Sequence, residues 1–308
     1  MSVENRLIYL GGNIIPVNEA KINVLSPTSQ FGLNVFEGIR CYWNDEIGQL
    51  YAFRLTDHLM RLKRSVKLLQ IEDKWSCEEL AKAFLETVRA NNYREDIAVR
   101  QTIFVDGFGS WGSKAPANMF ISPIPKSNTS REYNQKGLNC CISSWHRIDD
   151  CSLSPRIKCG ANYINSRMAQ LEAINNGYDT TIILNKEGKV SEGPGSCLFM
   201  IRNGKLVTPL LTDSVLESIT RDTVIVIAND ILHIPVEERS IDRTELYTCD
   251  EALLCGSAME ITPIFSIDHY TIGTGTCGSI TALIHATYLQ IVRGQNEAFH
   301  NWLLPVYK

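Results

Sequence analysis

No apolar run in this sequence is long enough to span a bilayer, which takes about 20 residues in a helix. The opening residues Met1-Ser2-Val3-Glu4-Asn5-Arg6 carry no apolar signal core, so the expected location is the cytoplasm. Positive charge is not in excess: 30 Lys and Arg stand against 34 Asp and Glu, for a net charge of −4. That removes the electrostatic case for nucleic acid or an anionic membrane as partner, while small charged metabolites fit. Metal-ligand spacing is missing too. The six histidines, at 58, 146, 233, 269, 285 and 300, are scattered, and no Cys-x-x-Cys pair occurs, so no metal site is expected. The ten cysteines, two of them adjacent at Cys140 and Cys141, do not read as a disulfide framework; they are expected to be mostly reduced, buried, small hydrophobes.

What is present suits two domains of ordinary size, since 308 residues at 44% hydrophobic and 21% charged describe a globular chain too long for one core. Gly11-Gly12 breaks two apolar runs and predicts a hairpin over Leu7 to Pro16, because glycine reaches positive φ without steric cost. Leu59, Leu62, Val66 and Leu69 form one stripe of a helix starting near Leu55. Ser76 and Glu79 fit a capping box, followed by Leu80, Phe84 and Val88 on one face. Ile97 to Val105 has strand character. From Gly107 to Pro125, glycines and prolines predict loops, and the polar stretch Lys126 to Gln135 a linker. Beyond it, strand-like runs (Asn139 to Ser144, Thr180 to Leu184, Cys197 to Ile201) alternate with helical ones (Asn162 to Asn175, Ser218 to Ala228, Ser279 to Val292), and Asn203-Gly204 marks a hairpin. The expected class is α+β, with an N-terminal domain over 1–122, a linker over 123–136 and a C-terminal domain over 137–308.

Five motifs follow one another along the chain: Phe36-Glu37-Gly38-Ile39-Arg40, His58-Leu59-Met60-Arg61-Leu62, Arg156-Ile157-Lys158-Cys159-Gly160-Ala161-Asn162-Tyr163, Leu216-Glu217-Ser218-Ile219-Thr220 and Gly256-Ser257-Ala258-Met259-Glu260. Val190-Ser191-Glu192-Gly193-Pro194-Gly195 lies between the third and fourth. Together they resemble the class IV aminotransferases of fold-type IV, the D-amino-acid-aminotransferase-like fold, and within that class the branched-chain aminotransferases. The resemblance implies pyridoxal 5′-phosphate as cofactor and transfer of an amino group between an L-amino acid, branched-chain or otherwise apolar, and a 2-oxo acid such as 2-oxoglutarate. It also implies a homodimer, in which the Phe108 to Lys114 loop of one subunit closes the other's site.

Residue by residue, the resemblance makes Lys158 the Schiff-base lysine and proton carrier, and Glu192 the partner of the protonated ring nitrogen. Tyr163 would bond the ring's phenolic oxygen, and Leu216 would pack against the ring. Arg61, Ile219, Thr220 and Ser257 would hold the phosphate, the second and third at a helix N-terminus. Phe36, Arg40, Arg100 and Ala258 would form the substrate pocket, with a guanidinium able to take a carboxylate bidentately. By residue type alone each has a plainer reading: Lys158 as a solvated lysine, Glu192 as a turn acid, Tyr163 as an aromatic near a helix start, Arg61 and Arg100 as solvent-facing charges.

Phe31 and Ala98 stand where members of the family commonly carry tyrosine, Pro123-Ile124-Pro125-Lys126 lacks the aromatics often found there, and Ser257 replaces a more usual threonine. A wider, less polar pocket is implied. Two rival readings keep other classes open: an aminodeoxychorismate-type lyase or D-amino-acid transaminase, and a catalytically silent binding protein. Gly273-Thr274-Gly275-Thr276-Cys277-Gly278 matches the Gly-x-Gly-x-x-Gly pattern of dinucleotide sites. Too little chain follows Gly278 for the rest of such a unit, so these glycines are expected to form a turn before the helix at Ser279.

Overall fold

In a computed structural model, residues 5–126 and 136–307 are described; the Ser127 to Gln135 part of the expected linker lies outside them. The chain divides into two compact units: Met1–Ser127 with Ile157–Ala161 and Gln290–Lys308, and Asn128–Arg156 with Asn162–Leu289. This differs from a single cut near residue 122. Lys158 and its neighbours join the first unit because Cys159 bridges Val35 in antiparallel fashion. The C-terminal strand β16 (Leu303–Pro305) joins it by pairing with β4 (Gln49–Phe53).

The first unit holds an antiparallel sheet ordered β16-β4-β3-β5-β6-β1-β2. Here β1 is Leu7–Leu10, β2 Asn13–Pro16, β3 Asn34–Asn44, β5 Ile97–Val105 and β6 Ala117–Pro125. The β1–β2 hairpin turns at Gly11 and Gly12, both at positive φ, as their sequence predicts. Strand alternation gives β3 two faces. Val35, Ile39 and Cys41 enter a core with Leu59, Leu62 and Val66 of α2 (Leu55–Leu68) and Leu80, Phe84 and Val88 of α3 (Cys77–Asn91), the short helix α1 being Pro27–Phe31. Phe36, Gly38 and Arg40 lie on the other face. The Ser76–Glu79 capping box is formed at the start of α3.

The expectation of loops through Pro125 is corrected by β6, which runs through Pro123 and Pro125. These prolines pair with Val99 and Ile97 of β5. On the strand's other side β1 reaches only Phe120 and Ile121, so both prolines sit where the sheet has an edge and a missing N–H breaks no ladder.

In the second unit, β7 (Leu138–His146) leads through α4 (Tyr163–Asn175) to the parallel strand β8 (Thr180–Leu184). The strands β9 (Val190–Gly193), β10 (Ser196–Arg202), β13 (Glu251–Gly256) and β14 (Glu260–Ile267) complete a ring, because β9 pairs with both β8 and β10. The ring closes where Gly193-Pro194-Gly195 turns the chain back on itself, and only Gly193 and Glu192 of β9 pair across that seam with Ser196 and Cys197. β10 and β11 (Lys205–Thr208) meet at Asn203-Gly204, where both residues have positive φ, as a tight hairpin requires. The core of this unit is Val190, Leu198, Met200, Leu254 and Ile264 with their neighbours. β12 (Val236–Glu238) and β15 (Tyr270–Thr271) extend the sheet, and α5 (Ile219–Val226) and α6 (Arg243–Leu246) complete the unit before α7 (Ser279–Val292).

The glycines of the dinucleotide-like pattern do form a turn before α7, and each has a local reason. Gly273 and Gly275 have positive φ, and a Cβ at Gly273 would overlap the carbonyl oxygen of Asp250. A Cβ at Gly278 would overlap the carboxyl of Glu251, whose oxygens accept the N–H groups of Ile280 and Thr281 at 3.0 and 2.8 Å and so cap α7. Gly278→Ala should therefore push Glu251 off the helix end and cost roughly 1–2 kcal/mol, read as a lower denaturant midpoint. An unchanged midpoint would show that Glu251 does not cap α7.

Candidate active site

In the first unit the residues singled out by the sequence fall on the two faces of β3. On the core side, Glu37 is fully buried and meets Arg61 from α2: Arg61 Nε donates to Glu37 Oε1 and Arg61 Nη2 to Oε2, both at 2.7 Å. His58, one turn earlier on α2, places Nδ1 2.7 Å from Glu37 Oε2. Burial alone pushes the Glu37 carboxyl up, but the charge and hydrogen bonds of Arg61, aided by His58, hold it far below the usual carboxylate range. Burial lowers the His58 pKa, the bond to Glu37 opposes this only in part, and the charges of Arg61 and Lys158 add to the lowering. His58 is thus a neutral ring donating to a carboxylate, and Arg61 is held by two of its nitrogens.

On the opposite face Arg100 lies directly across the ladder from Gly38. Its guanidinium carbon stands 3.9 Å from the centroid of the Phe36 ring, and Lys158 Nζ is 5.0 Å from the same centroid. Backbone pairing fixes the lysine there. Phe36 N–H donates to the Lys158 carbonyl at 2.9 Å, Lys158 N–H to Ser65 Oγ at 3.2 Å, and Gly160 N–H to Asn34 Oδ1 at 3.2 Å. Gly160 permits this approach, since a Cβ there would come within 2.9 Å of the Asn34 amide. Arg40 is buried beside Tyr42 (5.2 Å from guanidinium carbon to ring centroid) and faces Ala98 across the ladder. Arg100 is exposed, and Lys158 and Ala98 are half-buried.

In the second unit Glu192 sits on the seam that closes the ring of strands, only 4% exposed. Arg147, just past β7, donates to Glu192 Oε1 from Nε at 2.9 Å, with Nη2 at 2.8 Å from the same oxygen. Glu192 Oε2 accepts the Leu216 N–H at 3.2 Å and faces the Cys197 thiol at 3.7 Å. A few residues on, α5 begins at Ile219, with Ser218 as N-cap taking the Arg221 N–H. Thr220 is buried at the second helical position, where a helix supplies its own N–H groups with no acceptor. Tyr163 opens α4 and is exposed, as is Ala258, while Leu216 and Ser257 are half-buried. Among the described residues no group of His, Cys, Asp and Glu has the arrangement of a metal site.

The structure thus gathers Phe36, Arg100 and Lys158 in one unit, with Arg61 on the other face of β3, and it sets Leu216 beside Glu192 in the second. It places Glu192 in a strand and Arg61 in the core, against the turn and surface readings. Sequence reasoning left Glu37, His58 and Arg147 without roles. Glu37 carries a signal that was available: a charge at the core-facing position of an apolar strand requires a buried partner. Arg147 carries none, because its partner lies 45 residues away.

The family model for class IV amino-transferases matches residues 34–267. A probable branched-chain-amino-acid aminotransferase of Aquifex aeolicus is 39% identical over 303 residues, covering 97% of this chain and 96% of that protein. Among solved structures, the branched-chain amino acid aminotransferase of Thermobaculum terrenum in its PLP-form superimposes with a TM-score of 0.94 at 42% identity, over 100% of both chains. The branched-chain aminotransferase of Thermoproteus uzoniensis with norvaline gives 0.93 at 43% identity, over 98% of this chain and 99% of that one.

Both shifted groups of the Glu37 cluster act on stability with the same sign. The folded pKa of Glu37 lies below its unfolded value, so its contribution is present above that value and lost as pH falls. An unfolded His58 takes up a proton below about pH 6.5 that the folded ring resists, so acid again favours unfolding. Denaturant melts should show stability falling between about pH 7 and 5, and His58→Gln should flatten that slope without abolishing it, since burial lowers His285 as well. An unaltered slope in His58→Gln would mean that the ring protonates in the folded protein.

Proposed function

We propose that this chain, which belongs to the class IV aminotransferase family, is a pyridoxal-phosphate-dependent aminotransferase acting on branched-chain and other apolar L-amino acids, with a 2-oxo acid such as 2-oxoglutarate as acceptor. The observation that carries this reading is the Lys158 amine held beside the Phe36 ring on which Arg100 stacks. A primary amine for attachment and proton transfer is thereby set next to a guanidinium for a carboxylate and an apolar surface for a side chain.

The donor set suits the cofactor. In the first unit Lys158 would attach it through Nζ, and Arg61, its orientation set by Glu37, would meet the phosphate. In the second, Glu192 is a buried carboxylate held by an arginine, as a protonated ring nitrogen requires. The N–H groups of Ile219 and Thr220, the Thr220 hydroxyl and Ser257 suit a phosphate at a helix N-terminus, and Tyr163 and Leu216 would serve the ring's oxygen and its flat face. When bound, pyridoxal phosphate supplies the electron sink that weakens the bonds at the substrate's Cα.

The chain's own residues do the rest. Lys158 Nζ would carry the proton taken from the substrate's Cα. Arg100 and Arg40 would orient the substrate carboxylate, with Phe36 and Ala258 lining its side-chain pocket. Ala98 directly faces Arg40, and its methyl group in place of a tyrosine ring would leave room for a bulkier substrate.

A cytoplasmic homodimer is part of the same reading. All ten cysteines are free thiols, which suits a reducing compartment. Phe108 and Trp111 in the Phe108 to Lys114 loop stand 75% and 76% exposed, and Ile164, Leu171 and Ile174 line an open groove of about 570 Å³ on α4. Apolar surface of that extent is what a second subunit would cover. Sedimentation at micromolar concentration should give twice the chain mass.

Borohydride reduction of the cofactor-loaded protein should fix a cofactor-sized mass on the Lys158 peptide, and Lys158→Ala should abolish transamination while its far-ultraviolet circular dichroism stays unchanged. Labelling of another lysine would reject the assignment.

Arg100→Ala should lower kcat/KM for glutamate roughly tenfold or more, and less for simple amines without a carboxylate. Equal effects on both would show that Arg100 does not bind the carboxylate. Restoring tyrosine with Ala98→Tyr should shift preference from bulky apolar donors toward valine.

A further inference from the structure

Arg147 lies outside the motifs singled out in the sequence, yet it makes a close, buried contact in the second unit. Its guanidinium gives two nitrogens to one oxygen of Glu192, at 2.9 and 2.8 Å, with both side chains almost wholly inside the protein. The arginine is itself fixed. Its N–H donates to the Leu184 carbonyl at 2.8 Å, and its Nη1 reaches Asn165 Oδ1 at 3.3 Å. Asn165 in turn donates to the His146 carbonyl at 2.9 Å. The register between β7 and β8 shifts between Ile142 and His146, and Arg147 follows directly on that irregularity, a device that redirects side chains.

We propose that Arg147 is a positioning residue for the amino-transfer reaction: it holds the Glu192 carboxylate by Oε1, so that Oε2 is the oxygen presented to the cofactor's ring nitrogen. Oε1 accepts the Arg147 Nε–H and lies 2.8 Å from Nη2, so it faces the guanidinium. Among the described residues Oε2 has the Leu216 N–H at 3.2 Å and only the weak Cys197 thiol at 3.7 Å besides. A buried carboxylate that loses its charged partner favours its neutral form, and a neutral acid cannot stabilise a ring cation. This rests on the assignment of Glu192 made above.

The test compares Arg147→Met, Arg147→Lys and Glu192→Gln. In the protein stripped of cofactor, Arg147→Met should show an infrared band of a protonated carboxyl near neutral pH that is absent from wild type and from the double variant Arg147→Met, Glu192→Gln. In the loaded enzyme, Arg147→Met should lose kcat on the order of tenfold with KM for the amino donor little changed, and should regain rate as pH rises and Glu192 ionises. Arg147→Lys, which keeps the charge but not the fork, should fall between Arg147→Met and wild type. If Arg147→Met misfolds, Arg147→Lys decides alone: a wild-type rate and pH profile there overturns the positioning role. Absence of the carboxyl band, or a wild-type pH profile in Arg147→Met, overturns the proposal as well. Should Glu192→Gln itself turn over at the wild-type rate, the assignment of Glu192 fails instead, whatever the infrared band shows.

Discussion

A carboxylate taken out of water stays charged only if fixed positive charge and hydrogen-bond donors replace its hydration, and both units of this protein are organised around that requirement. Glu37 is held by Arg61 and His58 from α2, and Glu192 by Arg147 and the Leu216 amide. In each case the partner comes from a different element, so the charge is right only when the elements are docked. Removing one partner from such a pair leaves an uncompensated buried charge, worth about 3–5 kcal/mol, which ties site geometry to stability.

Strand alternation separates the tasks in the first unit. The odd-numbered side chains of β3 face helices and include Glu37, which locks Arg61. The even-numbered ones, Phe36 and Arg40, face away from them with Arg100 and Ala98 of the neighbouring strand. A one-residue slip in β3 would exchange the faces, turning the aromatic and guanidinium groups into the core and the apolar ones out. Gly38 lies directly opposite Arg100 on this face, where a Cβ would meet open space.

Much of the architecture was legible. The capping box at Ser76, the stripe of α2, the hairpins at Gly11-Gly12 and Asn203-Gly204 and the turn before α7 all rest on interactions within a few residues, and the structure contains each of them. Pro123 and Pro125 misled because proline excludes a central strand position, whereas β6 has an open edge at that point, which only the pairing of β1 reveals. The attachment of the Lys158 segment to the first unit was likewise hidden, since it depends on a bridge to Val35 more than a hundred residues earlier in the chain.

The sequence by itself determined which chemistry is available: a lysine, a carboxylate, arginines and a helix N-terminus, in motifs whose order and spacing identify the family. It fixed the local elements as well, because period, caps and turns act over one or two helical turns. The tertiary structure decided which charge each carboxylate meets and which element supplies it. Those pairings link residues 24 and 45 positions apart, and they depend on strand register and helix docking, which no local pattern encodes.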